Sequence, residues 1–265
     1  LYRIQVVPSV SRLKGRINSR TFATQNVRDI IQRLLNEAGI SAFEFRLERS
    51  HPPKEIAVQY RESDFAVMSR LLEAEGIHYH FEQTSGGHKV FFSDSNIGFP
   101  MLAVSKLAMS VRVQPSVTRF TRGQGMHSGR IDAGDYNWRT PSANLTGVAQ
   151  VSLFQDMTEQ IRPAGIGTQA EAQTVAQTRL EARIASAQDC RGESTYTHLQ
   201  AGSRFVLQGP YRADFNRDYV LTAIEHESTP EGYRNTFRCL PANLVYRPEP
   251  ITPKPVIAGV VSGIV

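Results

Sequence analysis

Two segments constrain this chain more than any other feature: "LLNEAGI" at residues 34–40 and "LLEAEGI" at residues 71–77. Each ends an amphipathic run and opens an apolar, strand-like one. In the first, "NVRDIIQRLLNEAG" sets Val27, Ile30, Ile31, Leu34, Leu35 and Ala38 at helical spacing, which makes one face continuously apolar. Asn26 is suited to accept from the first unpaired N–H groups, and Gly39 to stop the helix. The second, "SDFAVMSRLLEAEG", has Ser63 as its cap, Phe65, Met68, Leu71 and Leu72 on its apolar face, and Gly76 as its stop. Helices with one apolar face must bury it, and the strand after each helix supplies the surface. The pair predicts two helices packed on a sheet. As a repeat the echo has a second reading, convergence, because Leu-Leu and Gly-Ile are common ways to leave a helix and enter a strand.

The remaining elements follow from periodicity and breakers. Residues 1–10 read as a strand ending at Pro8 and Ser9. "SAFEFRLE" is a strand closed by His51-Pro52-Pro53, and "IHYHFEQ", "TSGG" and "HKVFFSD" form a hairpin. From Leu107 the texture changes. "LAMSVRVQPSVTRFT" alternates over a long run, "SGRIDAGDYNWRTP" reads as a second long strand, and "TRGQGMHSG" at 121–129 is the turn between them. Residues 141–168 are loop-like. "GTQAEAQTVAQTRLEARIASA" is a helix, and "SRFVLQGP", "DYVLTAIEHEST" and "YRNTFRCLP" are strands. This half predicts antiparallel β structure, a barrel, with one inserted helix. Four prolines in 248–255 make a stiff extended linker, and "VIAGVVSGIV" after it reads as the first strand of a further domain. The opening "LYRIQVV" carries neither a start methionine nor a charged-then-apolar leader and reads as the interior of a longer chain.

With 265 residues, 40% hydrophobic and 21% charged, the chain has the composition of a globular protein with a real core. No window reaches the ~20 apolar residues that a membrane helix needs. The net charge of +5 comes from scattered arginines rather than a basic run, so neither nucleic acid nor membrane is an expected partner.

The candidate chemistry lies in the histidines and cysteines. His78 and His80 share a strand face with Glu82, and His88 could join them from the return strand as a third metal ligand. The competing reading is a packed aromatic hairpin, since Tyr79, Phe81, Phe91 and Phe92 surround them and no carboxylate stands as a clear second partner. His226 is flanked by Glu225 and Glu227, but neighbours in a strand face opposite ways and neither pair converges. No GxSxG elbow occurs. Cys190 and Cys239 have neither metal-knuckle nor redox-motif spacing and read as buried thiols of a reducing compartment. A disulfide between them is the alternative, because both fall in strands. The expectation is a protein without catalytic, cofactor-binding or metal residues, and not an enzyme.

Four separated stretches carry a more specific signal. "VQYRESDFAVMSRLLEAEGIHYHFEQ" at 58–83 resembles the signature region of the VgrG family, the spike-and-hub component of type VI secretion systems. Residues 1–31 resemble the segment that precedes it. "DYNWRTP" at 135–141 and "YRNTFRCLPANLVYRPE" at 233–249 resemble later landmarks in the same order. In the family the hairpin strand is usually "GIYYYFE"-like, so His78 and His80 stand where tyrosines are usual.

The resemblance implies an α+β, mainly β fold of antiparallel barrel-like hub domains with an intervening α/β part. The expected division is 1–14 as the end of a truncated first barrel and 15–106 as the α/β part. The second barrel would occupy 107–247, with its inserted helix near 169–187, and the linker and first strand of an oligonucleotide-binding-like domain 248–265. The implied function is a structural hub that trimerises into a pseudo-hexameric ring, caps the hexameric Hcp tube and helps deliver effectors. Implied partners are its own copies, Hcp, baseplate proteins and effector or spike-tip proteins. Assembly would occur in the bacterial cytoplasm, before secretion or injection into target cells. A phage or prophage baseplate hub is the alternative.

Overall fold

The computed structural model describes residues 4–84, 86–209, 212–257 and 259. Its first part is built on two helices. Helix α1 (Val27–Glu37) begins at Asn26, whose side chain accepts from the Asp29 N–H, and α2 (Asp64–Glu75) begins at Ser63, whose hydroxyl accepts from the Ala66 N–H. Each stops at a glycine in the left-handed region, Gly39 (φ 71°) and Gly76 (φ 66°), as the sequence predicts. The apolar faces meet in one core that contains Val27, Ile30, Ile31, Leu34, Leu35, Val67, Met68, Leu71 and Leu72. Phe65 is only half-buried, and Val67 takes the place expected for it.

Two sheets enclose these helices. Strands β1 (Ile17–Gln25) and β3 (Lys54–Ser63) pair antiparallel as a ribbon. Strands β2 (Phe43–Arg46), β4 (His78–Thr84) and β5 (Gly87–Ser93) form a sheet in the order β2-β5-β4, with β2 parallel and β4 antiparallel to β5. The predicted N-terminal strand is not present among the described residues. Residues 4–8 are irregular, and Ser9–Gly15 is a 3-10 helix that buries Val10 and Leu13, three apart on one face, in the core of α1 and α2. Leu1, Tyr2 and Arg3 lie outside the described residues.

The second half is mainly β with one inserted helix, as the sequence predicts, but several of its strands fall elsewhere than expected. The long run from Leu107 is two strands, β6 (Met101–Ala108) and β7 (Val117–Gln124), separated by a loop. They become the two edges of a six-stranded sheet in the order β6-β12-β13-β14-β11-β7, with β11 (Gln188–Ser194), β12 (Arg204–Gln208), β13 (Asp218–Thr229) and β14 (Gly232–Pro241) between them. The sheet curls so far that its edges meet at one corner, where Met109 bridges Val117. Its concave side holds a core with Phe120, Phe205, Tyr219, Leu221 and Phe237.

Residues 121–129 are not a hairpin turn. They leave β7 for a different sheet, β10-β8-β9, made of β8 (Arg130–Gly134), β9 (Thr146–Gln150) and β10 (Thr158–Ile161). The second predicted long strand is therefore short, and the span expected to be loop holds two strands. Helix α3 (Gln169–Ser186) packs on this sheet, with Ala176 and Leu180 against Ile131, Ala133 and Ala149. Small residues let helix and strand touch: a Cβ on Gly147 would come within 2.3 Å of the Ala172–Gln173 backbone. No helix among the described residues is long and apolar enough to cross a membrane. The segment "VIAGVVSGIV", expected as a strand, lies largely outside the described residues.

Candidate functional site

The register of β4 and β5 decides the histidine question. Tyr79 pairs with Phe92, Phe81 with Val90 and Gln83 with His88, so Tyr79, Phe81, Phe92 and Val90 share the face turned to the helices. His88 falls on that same face, where its Nε2 accepts from the Ser9 N–H. His78 and His80 fall on the other face, with Phe91 and Ser93. The three imidazoles weighed as a conceivable ligand set are thus split by the sheet. Among the described residues no group of three or more His, Cys, Asp and Glu is placed to hold a metal ion.

The face that carries His78 and His80 is covered by the second half of the chain. His78 stacks on Phe99 at 4.3 Å between ring centroids and meets Tyr246 edge-on. His80 stacks on Phe91. Both nitrogens of His78 and Nδ1 of His80 are buried without a hydrogen-bond partner. Burial, with His80 and Arg247 nearby, depresses the His78 pKa to about 3, and burial lowers that of His80 as well. Both rings are therefore neutral packing groups at ordinary pH. At the rim, Arg46 lies 3.8 Å over the Phe91 ring and pairs with Glu44 and Glu82. Glu82 is thereby committed to the rim, with only a long 3.5 Å contact to His80.

Beside the aromatic face lies a polar joint that the sequence did not reveal. Arg247 is 7% exposed and donates to the Gly76 carbonyl, the Asp94 carbonyl and the Glu181 carboxylate. One guanidinium therefore ties the end of α2, the end of β5 and the middle of α3 to the segment after β14. His51 sits between two carboxylates, Nδ1 at 2.9 Å from Glu75 and Nε2 at 3.0 Å from Asp94. Asp94 also accepts from the Glu48 and Arg49 N–H groups. Burial works against both charges, but His51 and Lys54 hold the Glu75 pKa down at about 2, and the backbone donors with His51 and Arg49 lower that of Asp94. Arg49 reaches Thr178 on α3 and the Glu75 carbonyl. These residues come from five distant segments, and although Glu75, Gly76 and Arg247 fall in the family landmarks, no local signal says that they meet.

A third contact fixes the proline segment. The Glu73 carboxylate, on α2, accepts from the Ile251 and Thr252 N–H groups and from the Thr252 hydroxyl. Elsewhere, His226 hydrogen-bonds the Tyr233 hydroxyl and Glu227 pairs with Arg234, so His226 and its glutamates stay on separate exposed sites of the β13–β14 hairpin. Cys190 and Cys239 are free, buried and directly opposite each other on β11 and β14.

This geometry offers joints, stacked rings and ion pairs that lock parts of a rigid body together. The comparisons agree with it. The Actin cross-linking toxin VgrG1 of Vibrio cholerae is 29% identical over 97% of this chain and 25% of its own length. The type VI secretion system spike protein VgrG1b of Pseudomonas aeruginosa is 28% identical over 97% of this chain and 38% of its own. The chain thus spans well under half of either relative. The solved structure of the E. coli c3393 protein, described as a type VI secretion component similar to the phage T4 tail proteins gp27 and gp5, has the same fold, with a TM-score of 0.70 at 21% identity. The match covers 95% of this chain and 58% of that one. The family described as the phage tail baseplate hub (GPD) matches residues 1–231, most of the chain, and by that match, with VgrG spike proteins among its relatives, the chain belongs to the phage tail baseplate hub family.

Proposed function

We propose that the chain is the hub part of a type VI secretion spike, acting as a structural adaptor rather than an enzyme. The reading rests on one observation above others: relatives named as type VI spike proteins align over nearly all of it. With the first barrel restored, three chains, each supplying two barrels, assemble into a ring of six quasi-equivalent faces, which matches a threefold spike to a sixfold Hcp tube. The ring caps the tube, contacts baseplate proteins and carries effector or spike-tip proteins. It assembles in the bacterial cytoplasm and leaves with the injected tube. The work is mechanical, and buried joints such as Arg247 serve it by making the subunit stiff.

We divide the chain accordingly: 1–14 as the end of a first barrel, 15–106 as the α/β part, 107–247 as the second barrel, and 248–265 as a linker into the next domain. The packing of Ser9–Gly15 in the α1 and α2 core moves the first boundary to about residue 8. Strand β6 straddles the second boundary. The protein with its flanking sequence restored is expected to run as a trimer in light scattering and to co-purify with the Hcp tube protein. A monomer at all working concentrations would overturn the reading.

The second reading is a phage or prophage baseplate hub, favoured by the description of the matching family itself. Co-purification with a phage tail-tube protein instead of Hcp would select it.

A further inference from the structure

Strands β11 and β14 place Cys190 and Cys239 as a direct cross-strand pair inside the six-stranded sheet. Directly opposed residues of an antiparallel pair have Cα atoms about 4.5–5.5 Å apart, inside the ~4.4–6.8 Å range that a disulfide bridges. Both side chains turn to the concave core, 1% and 3% exposed, so neither can reach another molecule's thiol without unfolding. The neighbouring Cys239 thiol and the charges of Arg122 and Arg217 lower the Cys190 pKa, and burial raises that of Cys239.

A polar cleft of about 460 Å³ lies on the opposite face of the same strands, where Asp189, Arg191, Arg238 and Tyr246 line it and Cys190 and Cys239 border it although their side chains face the core. Peroxide that fills it lies one strand's thickness from the sulfurs and reaches them by local opening of the sheet.

We propose that Cys190 and Cys239 are a peroxide-oxidisable dithiol, an intramolecular modification site that closes to a disulfide and staples β11 to β14. The Cys190 thiolate attacks one peroxide oxygen, the O–O bond breaks, and the departing oxygen takes a proton and leaves as water. Cys190 becomes a sulfenic acid, oxidised by two electrons. The Cys239 sulfur then attacks the Cys190 sulfur, the S–O bond breaks, and the hydroxide leaves as water with the Cys239 proton. Two S–H bonds are replaced by one S–S bond, and one peroxide is reduced to two waters. The reduced pair suits a reducing compartment, and the closed pair suits an oxidising one.

The test treats the folded chain with hydrogen peroxide, removes the peroxide, unfolds the protein and blocks the remaining thiols with an alkylating reagent, and reads intact mass and a non-reduced proteolytic map. The expected result is a monomer that has lost two hydrogens and takes up no alkylating reagent. Its map joins the Cys190 peptide to the Cys239 peptide, and a reductant reverses the change. The oxidised protein should unfold at a temperature roughly 5–10 °C higher. C190S should block the linkage, and the wild-type map carries the test if that variant does not fold. The proposal is overturned if the folded protein keeps two alkylatable thiols while denatured protein oxidises. It is equally overturned if a sulfenic acid accumulates at Cys190 without linkage, or if the linkage forms between chains.

Discussion

Gly202 lies against His80 so closely that a Cβ there would sit 2.4 Å from the His80 Cβ. Gly202 belongs to the turn before β12, and His80 to the hairpin sheet, so this contact sets how closely the two halves of the chain approach. The backbone at Gly202 is also left-handed, with φ of 82°. Gly202→Ala should therefore cost roughly 2–4 kcal/mol from backbone strain and overpacking together. Chemical denaturation checks the magnitude. In a double-mutant cycle, His80→Gly, which removes the Cβ that Gly202 abuts, should recover part of the loss, and strict additivity would show that the two residues do not meet.

The neutral, buried state of His78 makes stability depend on pH. Its pKa is near 3 in the folded protein, depressed by burial and by the neighbouring His80 and Arg247, against about 6.5 when unfolded. Between these values the unfolded chain binds a proton that the folded one does not. The contribution is complete above about pH 6.5 and is lost as pH falls toward 3, on the order of 4 kcal/mol across the window. Asp94, which also faces the ring electrostatically, works weakly the other way. His78→Phe keeps the stacking on Phe99 and removes two orphaned nitrogens, so it should flatten the pH profile and raise stability at neutral pH by roughly 1–3 kcal/mol. Denaturation curves from pH 5 to 8 on both proteins measure this. An unchanged slope in the variant would assign the pH dependence to other groups.

Arg247→Ala leaves two buried carbonyls and the Glu181 carboxylate without their donor. A loss of about 3–5 kcal/mol is expected. Arg247→Lys should restore only part of it, because a single ammonium cannot span three acceptors held by a planar guanidinium. Limited proteolysis in the segment after β14 reports whether the joint has opened.

Leu72 is 1% exposed in the core that α1 and α2 share. Leu72→Ala should cost roughly 2–5 kcal/mol by denaturation. Any defect in a secretion assay should follow the loss of folded protein. A variant as stable as the parent that failed in secretion would mark this face as a docking surface.

The parts legible in the sequence were those whose period and stops agree. Helices α1 and α2 carry apolar faces between a side-chain cap and a glycine, and α3 has a long alanine-rich pattern, so tertiary packing had only to confirm them. The β4–β5 hairpin was equally plain. The strand β9, "TGVAQ", and the strand β10, "TEQI", were not, because what covers them is a helix of small residues and they need little apolar bulk. Alternation carried on through Ser110–Pro115, where the chain in fact leaves one strand before entering another. The face of His88 depended on a register fixed by the turn, which two-residue periodicity in one strand cannot supply. The joint of Arg247, His51 and Asp94 was not legible as a joint, since its members are far apart in the chain and no local pattern says that they meet.

The grip of Glu73 on Thr252 has a mechanical meaning. Tension applied to the chain beyond the proline segment would be met first by that carboxylate clasp on α2. Next come the ion pair of Glu249 with Arg183 on α3 and the buried Arg247, anchored to α2, β5 and α3 at once. The last is Asn96, whose side chain holds the Ala242 and Leu244 carbonyls and the Tyr246 N–H. Only after these had yielded would the load reach β14. Latches in series thus shield the six-stranded sheet from a pull at its own exit, and they route much of that pull into the helices.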